Sequence, residues 1–269
     1  MRSFDVKGIC IGRKKPVLMG ILNISPESFY SGSFIPSSQI QVAAEQMIQK
    51  GAEILDIGAR STAPGSVPIS VSEEKKRIKE SLTVLDGNNY CMSIDTMHPE
   101  VLNTALQYGV SMLNDISGLL NQEMASLVAD SGIPVILMAS RKEPGDATNF
   151  DETIQGIQQV LSRADQYGIE NIILDPGIGR WIPERATEAD WELCRRFSEL
   201  KQFGYPLLAA VSRKTFIGDI TQQIPKGRLA GTLAVTAKLI EEGAAVIRAH
   251  DVPETMDVIK TISHLQEFS

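Results

Sequence analysis

Short apolar runs alternate with amphipathic segments from Val17 to the end of the chain. Apolar runs rich in Ile, Val and Leu are typical of strands buried on both faces. They lie near 17–23, 53–57, 91–95, 110–114, 134–138, 171–174, 206–211 and 245–249. Helical periodicity fills the intervals, near 39–50, 72–86, 99–108, 121–130, 151–167, 188–202, 228–242 and 253–266. The first dozen residues, with Gly8 and Gly12, predict a short hairpin or cap before the main fold.

This strict alternation of strand and helix predicts a parallel sheet, because each helix returns the chain to the same edge. Eight units in about 250 residues favour an α/β fold of one closed (β/α)8 TIM barrel. We expect a single domain over residues 1–269. A doubly wound open sheet is the rival architecture, and it also places polar residues at the strand ends. Ser72 with Glu74 is expected to open the second helix.

Composition narrows the class of partner. The formal net charge is -7, from 26 Lys and Arg against 33 Asp and Glu, which argues against nucleic acid or an anionic membrane surface. Cys10, Cys91 and Cys194 are far apart and form no Cys-x-x-Cys, so neither a disulfide framework nor a zinc site is indicated. Without a signal-like start or a membrane-length apolar run, we expect a cytoplasmic protein.

Acids and amides follow several predicted strands. In a barrel these residues meet at one end, where later strands add basic residues. A carboxylate accepts two adjacent N–H groups, such as the amino-pyrimidine edge of a guanine-like or pterin ring, and a lysine donates to the ring carbonyl. The alternative is a set of ion pairs at the barrel mouth. The residues are Asn23, Asp56, Asp95, Asn114, Asp115, Asp175, Arg213, Lys214, Arg248 and His250.

Arg248 and His250 are alternate residues of one strand, so they point the same way and can converge on an anion. The alternative is a histidine that caps a carbonyl and an arginine paired with Asp251. Met138 and Trp181 lie near strand ends, where they can stack on a ring or pack within a loop. No H-E-x-x-H, G-x-S-x-G, P-loop or G-x-G-x-x-G motif occurs, so the chemistry of those motifs has no support.

Seven segments in order resemble those of dihydropteroate synthase, a family of pterin-binding barrels. The resemblance covers nearly the whole chain, from Val17 to Ile262. The segments are Met19 to Phe29, Asp56 to Gly58 with Ser61 and Thr62, Ser93 to Thr96, Asn114 to Gly118, Asp175 to Gly177, Ser212 to Lys214, and Arg248 to Val252.

The resemblance implies condensation of 6-hydroxymethyl-7,8-dihydropterin diphosphate with an arylamine, with release of pyrophosphate. It implies a pterin site of Asp95, Asn114, Asp175, Lys214 and Met138. The diphosphate would be held by Asn23, Arg248 and His250, with Mg²⁺ on Asn23. The arylamine would be bordered by Thr62, Ser212 and Arg213. The same resemblance assigns catalytic roles to Asp95, Lys214 and Arg248, and it implies a homodimer.

Departures from the family pattern fall on the arylamine side. The family has an acid and then Ser-Thr-Arg in its second loop, whereas this chain has Arg60, Ser61, Thr62 and Ala63. Arg180 stands where the family carries a phenylalanine, and Arg141 and Lys142 follow the fifth strand. We therefore hypothesise an acceptor larger or more anionic than p-aminobenzoate, such as the ribosylated, phosphorylated aminobenzene of methanopterin synthesis. The candidates to bind it are the four basic residues Arg60, Arg180, Arg141 and Lys142.

Two alternatives remain open at this level. A pterin-dependent methyltransferase shares the barrel and the pterin acids but has no diphosphate to bind, so Asn23, Arg248 and His250 count against it. A pterin-binding module without catalysis would bind the pterin diphosphate and give no product. The Ser, Gly and Pro content of loops 24–38 and 58–71 indicates that they close over substrate.

Overall fold

A parallel barrel encircled by helices forms the molecule, as predicted. The structure is a computed structural model and describes residues 1–13, 15–26, 34–61 and 67–267. Its eight-stranded sheet pairs each barrel strand with its neighbour along the chain and also pairs the first barrel strand with the last, except that the sixth and seventh strands form the two ends of the sheet. An isolated bridge between Leu174 and Leu207 joins the two end strands and brings the barrel to near closure.

The N-terminal hairpin consists of β1 (Phe4–Val6) and β2 (Ile9–Ile11). The barrel strands are β3 (Val17–Asn23), β4 (Ile54–Gly58), β5 (Cys91–Asp95), β6 (Met112–Asp115), β7 (Val135–Met138), β8 (Ile172–Asp175), β9 (Leu208–Ala209) and β10 (Val246–Ala249). The helices are α1 (Ile40–Gln49), α2 (Val71–Leu85), α3 (Pro99–Leu106), α4 (Gln122–Ser131), α5 (Phe150–Gln166), α6 (Thr187–Arg195), α7 (Thr215–Thr221), α8 (Leu229–Glu241) and α9 (Val252–Glu267). Short 3₁₀ turns cover Ser37–Gln39, Phe197–Phe203 and Pro225–Gly227.

Three local details differ from expectation. The predicted helix 188–202 is α6 followed by a 3₁₀ turn, and α7 is an additional short helix after β9. The cap of α2 is Ser70, not Ser72, because the Ser70 side chain accepts a hydrogen bond from the backbone N–H of Glu73. A serine at this position satisfies one of the helix's unpaired N–H groups. The expected closure of loops 24–38 and 58–71 concerns residues 27–33 and 62–66, which lie outside the described residues.

The hairpin covers the amino-terminal end of the barrel. Val6 and Ile11 belong to the same buried cluster as the inward-facing Met19, Ile54 and Met112. Two further clusters lie between the strands and the surrounding helices. With one end filled by apolar side chains, the carboxyl ends of the strands are left for a functional site.

Strand register aligns the polar residues at that carboxyl end. Asn23 pairs with Gly58, Gly58 with Asp95, and Asp95 with Asn114 across β3 to β6. Their side chains therefore lie in one layer and point to the same side of the sheet. The register explains how residues far apart in sequence form one surface.

Candidate active site

One cavity opens at the carboxyl ends of the strands. It brings together most of the residues that the sequence singled out, with Trp181 beside them. The predicted residues that line it are Asn23, Arg60, Asp95, Asn114, Asp175, Arg180, Ser212, Arg213, Lys214, Arg248 and His250. Met138 does not line it, because its side chain is fully buried against Gly177. Thr62 lies outside the described residues.

Arg248 is the centre of a charged network on one wall. Its Nε donates to Oδ2 of Asp56 over 2.6 Å, and its Nη2 donates to Oδ2 of Asp95 over 2.7 Å. Asn114 donates to the same Asp56 oxygen over 3.0 Å. Asp56 is fully buried, and a buried carboxylate is tolerated when it is paired in this way. The network fixes the guanidinium, whose Nη1 donates to none of the described residues and has two N–H groups that can bind an anion.

Asp95 lies at the boundary between this network and the open cavity. Burial raises the pKa of its carboxyl to about 7; Arg248 opposes that rise, whereas Asp56 and Glu74 add to it. The side chain is 23% exposed, so it can meet a ligand. A carboxylate so placed stabilises positive charge that develops nearby.

Asp175 and Lys214 also line the cavity. Oδ1 of Asp175 accepts a hydrogen bond from the backbone N–H of Gly177 over 2.8 Å. Burial raises the pKa of Asp175 and lowers that of Lys214, while the attraction between the two opposes both shifts. The Lys214 ammonium donates to the carbonyl of Ile178 and lies 5.1 Å from the centre of the Trp181 ring.

The loop after β8 is held in place from behind. Oδ1 of Asp190 accepts from the backbone N–H of Gly179 over 2.8 Å and from Nε of Arg185 over 2.9 Å. Both side chains of this ion pair are 1% exposed. Gly179 has a φ of +128°, and a Cβ there would lie 2.9 Å from Cδ of Lys214. Glycine is therefore required for the close approach of Lys214 to this loop.

His250 is neutral at neutral pH. Burial and the nearby Arg248 charge lower its pKa to about 4. Its Nδ1 lies 2.9 Å from the hydroxyl oxygen of Ser212. When Ser212 donates the shared hydrogen, Nε2 carries the ring proton and can donate to an anion.

Arg213 borders the cavity, but its guanidinium is bonded to other residues of the protein. Nε and Nη2 form a fork with the two carboxylate oxygens of Asp251, at 2.8 and 2.7 Å. Nη1 donates to the carbonyls of Pro225 and Lys226. Asp251 is thus the partner of Arg213, not of Arg248 as the alternative interpretation had it.

Arg60 and Arg180 also border the cavity, whereas the other basic candidates do not. Arg141 bonds to Asp146 within its own loop and lies 3.1 Å from Glu152 at the start of α5. Neither Arg141 nor Lys142 lines the cavity. Two of the four basic residues proposed for an enlarged acceptor therefore lie away from it.

Asp115 organises a turn and is not a cavity residue. Its carboxylate accepts from the backbone and hydroxyl of Ser117, at 2.8 and 2.6 Å, and from the backbone of Leu119 over 2.8 Å. Asn114 precedes it on β6 and faces the cavity, so Asp115 points to the other side. The alternation along the strand separates the two roles.

Asn23 fits a magnesium ion carried by a diphosphate. Among the described residues, no group of three or more His, Cys, Asp or Glu side chains is placed to hold a metal ion. Mg²⁺ takes one or two protein oxygens together with substrate phosphates and water. Oδ1 of Asn23 accepts from the backbone N–H of Ser25 over 3.0 Å, and oxygen atoms of this kind are the ligands that hard cations such as Mg²⁺ take.

Sequence reasoning placed Asp56 at the strand ends with the other acids, but it gave no role in the site to three residues that support it: Glu74, Arg185 and Asp190. Glu74, Arg185 and Asp190 lie on helices or in a long loop among many exposed charges, where the sequence does not distinguish a buried carboxylate from a solvated one.

Fold and site together define a barrel enzyme with a charged cavity at the carboxyl ends of its strands. The chain belongs to the pterin binding enzyme family, whose model matches residues 19–250. This confirms the resemblance found in the sequence. The dihydropteroate synthase of Synechocystis is 38% identical over 94% of this chain and 91% of its own length. That of Escherichia coli is 33% identical over 95% and 94%.

Solved structures agree in fold. Dihydropteroate synthase of Yersinia pestis with a sulfonamide drug complex superposes with a TM-score of 0.90, at 29% identity over 100% of both chains. The enzyme of Coxiella burnetii with pteroic acid gives 0.88, at 30% identity over 99% of both. The enzyme of Xanthomonas albilineans with 4-aminobenzoic acid gives 0.87, at 31% identity over 98% of both.

Proposed function

We propose that this protein is a dihydropteroate synthase of folate biosynthesis, a transferase that releases pyrophosphate. The observation that carries the proposal is one cavity in which Asp95, Asn114, Asp175 and Lys214 lie with Asn23, Arg248 and His250. The first four suit a flat heterocycle, and the last three suit its diphosphate. A heterocycle and its leaving group thus share one site.

Binding of the pterin follows from the chemistry of its edges. Asp175 accepts the adjacent N–H groups of the amino-pyrimidine edge, and Lys214 donates to the ring carbonyl. Asn114, held by Asp56, offers its carbonyl oxygen to a further ring N–H. These contacts orient the exocyclic carbon towards Arg248 and His250.

Bond cleavage precedes bond formation. The carbon–oxygen bond to the diphosphate breaks and its electron pair stays on the diphosphate oxygen, where Arg248 and His250 donate hydrogen bonds. Asp95 faces the cationic pterin that results and stabilises it. The amine lone pair then attacks the carbon and the amine proton leaves to solvent, so no nucleophilic side chain is required. Mg²⁺, when bound beside Asn23, supplies further charge to the leaving diphosphate.

The acceptor that we propose is p-aminobenzoate. Arg141 and Lys142 lie away from the cavity, which removes half of the basic set that pointed to a larger acceptor. A relative of the same fold holds 4-aminobenzoic acid in its crystal. Turnover of p-aminobenzoate equal to or better than that of a ribosylated aminobenzene phosphate is the expected result.

The test combines two products in one assay. Purified protein, pterin diphosphate, Mg²⁺ and p-aminobenzoate should yield pyrophosphate and dihydropteroate in equal amounts, measured by a coupled phosphate assay and mass spectrometry. Asp175→Asn should raise KM for the pterin by roughly 10- to 100-fold, the range for a hydrogen bond to a charged group. Asp165→Asn, on the exposed face of α5, is the matched control.

Two other outcomes would refute the proposal. Pterin binding without pyrophosphate from any arylamine would indicate a silent binding module. Methyl transfer from a methylated pterin to a corrinoid, again without pyrophosphate, would indicate a methyltransferase.

A cytoplasmic homodimer is part of the same proposal. The three cysteines are free, which suits a reducing compartment. No described helix combines the length and apolar character that a membrane crossing requires.

Ile220 and Ile224 are 64% and 71% exposed and give the barrel an apolar outer surface near α7. Light scattering would measure the mass of the protein in solution and so test the homodimer.

A further inference from the structure

Glu74 is a fully buried carboxylate next to the cavity. It lies in the first turn of α2, where the helix dipole favours a negative charge. Its Oε1 accepts from the hydroxyl of Thr96 over 2.5 Å, and its Oε2 accepts from Nε of Arg60 over 2.7 Å. Nδ1 of His98 lies 3.1 Å from the same Oε2. Glu74 thus joins the loop after β4 to the loop after β5.

Arg60 is held by this contact at one nitrogen only. Its side chain is 14% exposed and lines the cavity. Nη1 and Nη2 donate to none of the described residues, whereas Nε is fixed by Glu74. A guanidinium anchored at Nε presents its two outer nitrogens as a planar fork that matches a carboxylate.

The other cations that line the cavity each have a protein partner, and the proposed function already assigns Arg248 to the diphosphate and Lys214 to the pterin. Arg213 is engaged by Asp251 and two carbonyls, and Arg248 by Asp56 and Asp95. The ammonium of Lys214 bonds to a carbonyl. Arg180 is exposed and bonds to Pro183.

Together these contacts indicate how the site selects its arylamine. Resting on the proposed function, we propose that Arg60 receives the carboxylate of the arylamine and that Glu74 is the positioning residue that aims its outer nitrogens into the cavity. Glu74 touches no substrate itself. Glu74 fixes the Arg60 side chain before the acceptor binds, so that less side-chain conformational entropy is lost on binding.

The experiment compares two acceptors that differ in charge. p-Aminobenzoate carries the carboxylate, and p-aminobenzamide replaces it with a neutral amide of nearly the same shape. The wild-type enzyme, Arg60→Ala, Glu74→Gln and the double variant are each assayed with both acceptors. Because the ratio of the two kcat/KM values is taken within one preparation, a loss of folded protein cancels.

We expect Arg60→Ala and Glu74→Gln each to lower kcat/KM for p-aminobenzoate by about 10- to 100-fold through KM, the range for a charged hydrogen bond. The value for p-aminobenzamide should change by less than about threefold, and the double variant should resemble Arg60→Ala, because Glu74 acts through Arg60. Glu73→Gln is the matched control, since Glu73 lies in the same turn, is 40% exposed and pairs with Arg77.

Equal losses for both acceptors in Glu74→Gln would assign it a purely structural role and overturn the inference. An unchanged KM for p-aminobenzoate in Arg60→Ala would do the same. If the wild-type enzyme forms no product with either acceptor, the proposed function fails and this inference fails with it. Wild-type turnover with unaltered selectivity in the variants overturns the inference alone.

Discussion

The buried ion pair of Arg185 and Asp190, which supports the loop after β8, allows a quantitative prediction. Asp190→Asn removes the charge that pairs with Arg185, which is 1% exposed and would remain as a buried cation. Breaking a buried pair from one side costs about 3–5 kcal/mol. The contact from Asp190 to the backbone of Gly179 also weakens, and with it the support of the Ile178 carbonyl that holds Lys214.

Thermal unfolding gives the measurement. For a chain of this size each kcal/mol shifts Tm by roughly 2–4 °C, so Asp190→Asn should lower Tm by roughly 6–20 °C. The remaining folded enzyme should show a raised KM for the pterin diphosphate, because Lys214 loses its fixed position. Calorimetry and steady-state kinetics on one preparation measure both effects.

A surface pair in the same helix supplies the control. Glu188 and Arg195 lie 2.7 Å apart with side chains 73% and 61% exposed, and such exposed pairs contribute about 0–1 kcal/mol. Glu188→Gln should therefore leave Tm nearly unchanged. A shift under about 3 °C in Asp190→Asn would refute the reasoning from burial.

Two further predictions concern single carboxylates. Because burial raises the pKa of Asp95 to about 7 and the reaction needs its ionised form, kcat/KM for the pterin diphosphate should rise as pH increases through about 7. A profile that is flat from about pH 6 to 9, or the same midpoint in Asp95→Asn, contradicts this assignment. Asp115→Ala should destabilise the protein by about 1–3 kcal/mol in urea unfolding, because the N–H groups of Ser117 and Leu119 lose their acceptor. The folded fraction should keep its KM for p-aminobenzoate; a large rise in that KM would place Asp115 in the site instead.

Much of the fold follows from periodicity alone. Predicted strands such as 91–95 and 171–174 match the observed β5 and β8 within a residue, because runs buried on both faces leave little ambiguity. The cap of α2 was wrong by two residues, since Ser70 and Ser72 are both acceptable caps and the hydrogen bond to Glu73 decides between them. The additional helix α7 escaped because it is short and follows the predicted strand 206–211 without a break.

Within the site, sequence position indicates what one strand end contributes but not what pairs with it. Asp95 and Arg248 were both expected at the mouth of the barrel, yet their contact over 2.7 Å depends on the tertiary structure and could not be predicted from the sequence. Glu74 and Asp190 show the same limit more strongly. Each is one acid in a helix rich in charge, and only the packing of that helix on the barrel buries it.

Among the described residues, the strands at the two ends of the sheet are joined by one isolated bridge, between Leu174 and Leu207. Asp175 ends the strand on one side of it, and Lys214 follows the strand on the other. In the proposed complex, the pterin ring is bound by both side chains and so connects the ends of these two strands. Pterin binding should therefore stabilise the folded barrel where its strands share the fewest backbone pairs.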